Sequence, residues 1–205
     1  MQPVIHELFP TPLFESRIQV QQQWVDVVKN VPYERGYDPN WTSVTKEILQ
    51  LPELHDLNQE ITGAAGYFAY NGLGVAPNIE VYISRSWSVK HNPCDRAAKH
   101  CHSNSIWSGI YYMTVTPESG DVLFDKGNFY PNCFLPTIDP DCFENEFTRR
   151  QWRYTPSTGS LLIFPSQLLH DVLPNESSID RYCIAFDIFI RGEFGFANGN
   201  GIRIN

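Results

Sequence analysis

The chain has 205 residues, 42% hydrophobic, 14% aromatic and 19% charged, with a formal net charge of −8 at pH 7. That length and apolar share suffice for a packed core and exclude a disordered chain. The acidic balance, with no Lys/Arg-rich run, argues against binding a nucleic-acid backbone.

In chain order, residues 4–18 read as a strand or strand pair broken by Pro10 and Pro12. Over residues 21–31, Trp24, Val27, Val28 and Val31 recur at helical spacing, and Pro32 ends the run. Residues 33–41 read as a loop rich in Gly, Pro and Asn. A second helix is expected over residues 42–51, with Val44, Ile48 and Leu51 on one face. A longer one is expected over residues 53–70, with Leu54, Leu57, Ile61, Ala64, Ala65 and Phe68 inward. This helical third reads as scaffold covering one face of a sheet. Beyond Asn71 the pattern turns to strands: residues 79–90 alternate, and residues 106–115, 120–124, 151–154, 160–164, 168–173 and 181–190 are each strand-like between turn residues. The irregular stretch 128–149 is long enough to be a lid. The Gly/Asn-rich tail, 192–205, reads as an extension or a small hairpin. Helices first, then roughly seven or eight short, evenly spaced strands, predict a mainly β protein: a jelly roll braced by N-terminal helices. The simplest division is a single domain over 1–205, with helical support over about 20–70 and a β core over about 79–190.

Cys94, Cys101, Cys133, Cys142 and Cys183 form no CxxC pair and are odd in number. They read as reduced thiols of a cytoplasmic protein. No apolar run approaches the roughly 18 residues that cross a membrane, and the N-terminal stretch lacks the basic-then-apolar plan of a signal peptide.

The chemistry concentrates in residues 99–113, KHCHSNSIWSGIYYM. In an extended segment residues i and i+2 face the same way, so His100 and His102 project together, with Cys101 opposite. Two adjacent imidazoles at the start of a strand make half a metal site. A third imidazole, His170, follows a Pro-Ser turn, and Arg181 opens the apolar strand RYCIAFDIFI. A buried guanidinium needs an anionic partner, from the chain or from a carboxylate ligand held by its planar fork. His6, His55 and His91 read as ordinary polar residues. Asp171 is expected on the face opposite His170, Asp121 and Asp125 near a turn are a lesser candidate supply of a carboxylate, and Arg85, Trp87 and Trp107 either line a pocket or pack.

These residues, in this order, resemble the iron(II)- and 2-oxoglutarate-dependent oxygenases, and within them a small branch with an HxHxNxxxSGxYY signature. The resemblance rests on His100-Cys101-His102-Ser103-Asn104, Ser108-Gly109-Ile110-Tyr111-Tyr112, Gly159 to Ser166, His170-Asp171-Val172 and Arg181, with Leu8-Phe9-Pro10-Thr11-Pro12 near the N-terminus. It implies a double-stranded β-helix core and an enzyme that uses Fe(II), O2 and 2-oxoglutarate, hydroxylating a C–H bond and releasing succinate and CO2. It implies that His100 and His170 bind iron, that Arg181 grips the far carboxylate of 2-oxoglutarate, and that Tyr112 hydrogen-bonds the same carboxylate. No catalytic side chain beyond the metal site is implied.

His102 departs from the pattern, because most of the superfamily has Asp or Glu there and the usual set is two His and one carboxylate. Either His102 is a third imidazole ligand, making the site one charge more positive, or another group takes that place. A register with His102 first and Asn104 third is the weaker option, since Asn binds iron poorly. Two other readings stay open: a three-His cupin-like dioxygenase or isomerase that needs no 2-oxoglutarate, and a non-catalytic metal-binding module. The sheet edge or the tail offers a surface for a homodimer.

Overall fold

The computed structural model describes residues 3, 4, 6, 10–126, 149, 151–195, 199 and 201–205. Among these, the strands form two antiparallel sheets. The larger holds β1 (Phe14–Arg17), β2 (Tyr33–Arg35), β3 (Trp41–Ser43), β4 (Glu80–His91), β6 (Trp107–Thr114), β9 (Ser160–Pro165) and β11 (Arg181–Phe194) in the order β1-β9-β6-β11-β4-β3-β2, with β12 (Ile202–Ile204) paired to β11. The smaller has the order β5-β10-β7-β8, from β5 (Ala97–His100), β10 (Leu169–Val172), β7 (Val122–Asp125) and β8 (Gln151–Tyr154). This is the expected jelly roll.

β11 is the spine, pairing with β4 on one side and β6 on the other. Its alternation explains both cores. Tyr182, Ile184, Phe186 and Ile188 face outward and pack, with Tyr111, Met113, Leu161 and Ile163, against α1 (Gln22–Asn30) and α2 (His55–Tyr67). Cys183 faces the smaller sheet and packs with Ile110, Tyr112, Leu162 and Phe164. Each large apolar side chain buried in this way contributes about 1.5–3 kcal/mol. Gly109 is required at the crossing of these layers: a Cβ there would stand 2.2 Å from the Phe186 ring and 2.8 Å from the Leu162 carbonyl oxygen.

The helices sit where the periodicity places them. Trp24 and Val28 of α1, and Leu57, Ile61 and Ala65 of α2, are buried. α2 is led in by a 3-10 turn, Pro52–Leu54, and continues into a π turn, Phe68–Gly72. Between the helices the expectations fail twice. The supposed loop at 33–41 is the β2–β3 hairpin, with Tyr33 paired to Ser43 and Trp41 paired on to Lys90 of β4. The supposed helix at 42–51 is the end of β3 and a single 3-10 turn, Ile48–Gln50. Ser43 decides this locally: its buried hydroxyl donates to the Thr45 carbonyl at 2.7 Å and accepts the Ser88 N–H at 2.9 Å, tying the segment to β4. The helices therefore do not precede all the later strands: β1 lies within the stretch expected to hold an entering strand, and β2 and β3 extend the larger sheet from within the helical third. The tail forms the small hairpin, β11 with β12. The 128–149 stretch expected as a lid lies outside the described residues, except for Arg149.

Candidate functional site

The two histidines of the HxH motif do not begin the following strand. His100 ends β5, in the smaller sheet, and lies directly opposite His170 of β10 in the antiparallel register. Their ring centroids are 4.3 Å apart. His102 lies in the connection to β6, where its N–H donates to the Ser166 carbonyl at 2.9 Å. That bond brings its ring to 5.4 Å from His100 and 5.3 Å from His170. One nitrogen from each imidazole lies within 4.8 Å of the others, a grouping able to hold a metal ion. Asn104 is exposed in a left-handed turn at φ 60° and is not part of this grouping.

All three rings are held from behind through Nδ1. His100 Nδ1 meets the Ala98 carbonyl at 2.7 Å, and His170 Nδ1 meets the Leu168 carbonyl at 2.9 Å. A carbonyl only accepts, so Nδ1 carries the proton and Nε2 keeps its lone pair. Burial first, then the neighbouring His100, pushes His170 down to about 3, so its ring is neutral near pH 7. Phe124 and Phe164 wall it in, at 6.1 and 4.9 Å between ring centres.

The third ring is held differently. His102 Nδ1–H donates to Asp187 Oδ1 at 2.6 Å. Asp187 is 2% exposed. It also accepts from the Ser108 hydroxyl at 3.0 Å and the Arg85 guanidinium at 2.9 Å. Burial alone would raise this carboxyl, but the hydrogen bonds from His102 and Ser108 and the charge of Arg85 hold it below the usual carboxylate range. Ser108 also meets the Ser166 hydroxyl at 2.9 Å, and Ser105 donates to Ser166 at 2.6 Å, so the serines of the two motifs form one buried polar chain. Arg85 lies 4.8 Å over Trp87, whose ring is 5.7 Å from that of His102. Trp107 instead packs on Phe68 in the helix-side core.

Farther along the same inner face of β11 stands Arg181, 1% exposed. Its Nη1 donates to the Ser119 and Gly120 carbonyls at 3.2 and 3.1 Å. Its guanidinium lies 5.1 Å over the Tyr112 ring. Among the described residues no carboxylate pairs with it, and its Nε has no hydrogen-bond partner. The Tyr112 hydroxyl, fully buried beside it, also has none. Burial raises the Tyr112 phenol well above its usual value, more than Arg181 lowers it. His91, buried and paired in register with Arg181, has partners for neither ring nitrogen. Burial and then the Arg181 charge push it down to about 3. A buried cation and a phenol with open donors form a cradle that a carboxylate would satisfy.

The sequence-derived residues thus fall into two groups, three histidines at one end and Arg181 with Tyr112 at the other. The remote carboxylates stay away from both. Asp121 pairs with Arg153, Asp125 pairs with Lys99 at 2.5 Å, and Asp171 is not in the histidine cluster. Asp187 is not among the residues singled out from the sequence, and His91, read as an ordinary polar residue, is buried beside Arg181. Alternation along β11 puts Asp187 on the face of Arg181, and alternation along β4 puts His91 on the face of Arg85 and Trp87, so a period-two count would have found them.

A family model described as "Putative 2OG-Fe(II) oxygenase" matches residues 85–187. Its span contains the three histidines, Tyr112, Arg181 and Asp187. No curated protein matches the chain significantly. Among solved structures, the carbocyclase SnoK of nogalamycin biosynthesis is 13% identical, with 95% of this chain and 82% of that one covered and a TM-score of 0.61. HygX from Streptomyces hygroscopicus, with nickel and 2-oxoglutarate bound, is 10% identical over 87% of this chain and 83% of that one, at a TM-score of 0.58. A prolyl-4-hydroxylase from Pseudomonas putida is 12% identical over 89% and 94%, at 0.55. These likenesses show a shared fold.

Proposed function

The chain belongs to the 2OG-Fe(II) oxygenase family matched over residues 85–187, and on that premise we propose that it is an iron(II)- and 2-oxoglutarate-dependent hydroxylase of a small-molecule or peptidyl substrate. The observation that carries this reading is the convergence of three imidazoles whose Nδ1 atoms are all engaged. His100, His102 and His170 would hold Fe(II) through Nε2. Arg181, with Tyr112, would hold the far carboxylate of 2-oxoglutarate. Bound there, Fe(II), 2-oxoglutarate and O2 supply the oxidation: the keto acid becomes succinate and CO2 as one oxygen atom enters a substrate C–H bond.

The chain's own part is binding and exclusion. The carbonyls of Ala98 and Leu168 and the carboxylate of Asp187 fix the three rings. Phe124 and Phe164 keep His170 dry. Arg181 offers a buried positive charge whose attraction for an anion is not screened by water. Trp87 and Arg85, beside His102 and partly exposed, are the side chains placed to meet a substrate at the metal end. Cys94, Cys101 and Cys183 are free thiols, in keeping with a cytoplasmic enzyme, and no helix among the described residues is long and apolar enough to cross a membrane.

The open donors at Arg181 favour this reading over a three-His cupin-like enzyme, which has no use for a second anion site. The test is succinate formation from 2-oxoglutarate under Fe(II) and O2 across a broad substrate panel. The proposal expects succinate from the wild type and background from His170→Ala; equal background from both would refute it.

A further inference from the structure

We propose that Asp187 is the carboxylate of the metal centre, set one imidazole behind the ion, so that the Asp187–His102 pair stands where related sites place a single Asp or Glu. The inference rests on reading the three histidines as the iron site, and it addresses the departure at His102. Asp187 is a positioning residue, since it acts on the metal through His102.

The three imidazoles are supported unequally. His100 and His170 lean on neutral main-chain carbonyls, and His102 alone leans on a carboxylate. The Asp187 contact to His102, at 2.6 Å, is shorter than its contacts to Arg85 at 2.9 Å and Ser108 at 3.0 Å. The environments differ as well. The His102 and Asp187 side chains are 10% and 3% exposed, whereas the Arg85 side chain is 54% exposed. The Arg85 pairing is therefore partly screened by water, and the His102 bond is not. A buried carboxylate is costly to keep unless its oxygens are satisfied. Here both are: one oxygen faces His102 and Ser108, and the other faces Arg85.

The physical consequences are two. The carboxylate fixes the His102 tautomer and ring angle, so that Nε2 presents its lone pair to the ion. It also lends negative charge, through the ring, to a ligand set that is otherwise neutral. Both make His102 a stronger donor than an imidazole resting on a carbonyl. The serine chain, Ser105–Ser166–Ser108, places the last hydroxyl on the same oxygen that faces His102 and so fixes the carboxylate.

The experiment uses Co(II) as the probe on the full chain without O2, reading the dissociation constant and the visible ligand-field spectrum, with the Fe(III)/Fe(II) potential as a further readout. Asp187→Asn keeps the shape and removes the charge. It should weaken Co(II) binding about 10- to 100-fold, shift the spectrum and raise the potential, with the melting temperature of the metal-free protein reported alongside. Arg85→Met removes the competing cation and keeps the carboxylate; it should hold Co(II) at least as tightly as wild type and shift the spectrum in the opposite direction. A folded Asp187→Asn protein with wild-type affinity and spectrum overturns the inference and leaves the proposed function standing. If Asp187→Asn does not fold, Arg85→Met decides: weaker Co(II) binding or an unchanged spectrum overturns it. A wild type that binds no Co(II), behaving like His170→Ala, overturns the proposed function and this inference together.

Discussion

The two ends of the inner face of β11 are built on opposite plans. At the His102 end every polar group that supports the cluster is engaged: three Nδ1 atoms, both oxygens of Asp187 and the hydroxyls of Ser105, Ser108 and Ser166. At the Arg181 end polar groups are buried without hydrogen-bond partners among the described residues: Arg181 Nε, the Tyr112 hydroxyl and both nitrogens of His91. An unsatisfied buried polar group costs about 1–3 kcal/mol, so the second end carries a cost that the first avoids. The difference fits the roles proposed for the two ends. A metal site must hold its ligands ready, with the supporting shell satisfied by the protein. A site for an exchangeable anion must leave its donors open until the anion arrives.

The comparison breaks first at the metal end. His170→Ala should abolish metal binding and bring 2-oxoglutarate turnover to background, as measured by metal content after gel filtration and by succinate formation. Arg181→Met should do the reverse: leave the metal in place and weaken 2-oxoglutarate about 10- to 100-fold, the loss expected of a charge-assisted hydrogen bond. Without 2-oxoglutarate the same variant should melt above wild type, because it removes a buried cation with no anionic partner among the described residues. A lower melting temperature would mean that the Ser119 and Gly120 carbonyls satisfy Arg181 fully.

Tyr112→Phe should weaken 2-oxoglutarate about 10-fold, the lower end of what a hydrogen bond to a carboxylate contributes. It should barely change the stability of the metal-free protein, since among the described residues its hydroxyl has no hydrogen-bond partner to give up. Function aside, His91 bears on the pH dependence of stability. Its folded value, about 3, lies below the roughly 6.5 of an unfolded histidine, so the unfolded chain binds the extra proton between those limits. Its contribution to stability is complete above about pH 6.5 and is lost as pH falls toward 3. His91→Leu should therefore flatten the decline of denaturant stability between neutral and acid pH.

Much of this was legible in the sequence where the signal is local. The alternation in RYCIAFDIFI marks a strand with two faces, and Trp24 with Val28 marks a helix. The HxH spacing, His170 and Arg181 mark the chemistry. What was not legible depends on pairing between distant segments. Three-residue strands such as Tyr33–Arg35 and Trp41–Ser43 have too few positions to display a period and exist because β4 pairs with β3. His100 meets His170 through a register that neither segment states alone. The expected strand start at the histidines failed because Ser166 claims the His102 N–H and holds that residue in the connection. Asp187 was legible in principle, as an acid on the Arg181 face of a buried strand, but its value depends on His102 lying beside it.

The most direct test is calorimetric titration of 2-oxoglutarate into the anaerobic Co(II)-loaded protein, repeated with His170→Ala and Arg181→Met. The account predicts one equivalent bound by the wild type, binding lost in His170→Ala because the metal is absent, and binding weakened about 10- to 100-fold in Arg181→Met although the metal is retained. Binding at wild-type strength in either variant, or a metal-loaded wild type that takes up no 2-oxoglutarate, would contradict it.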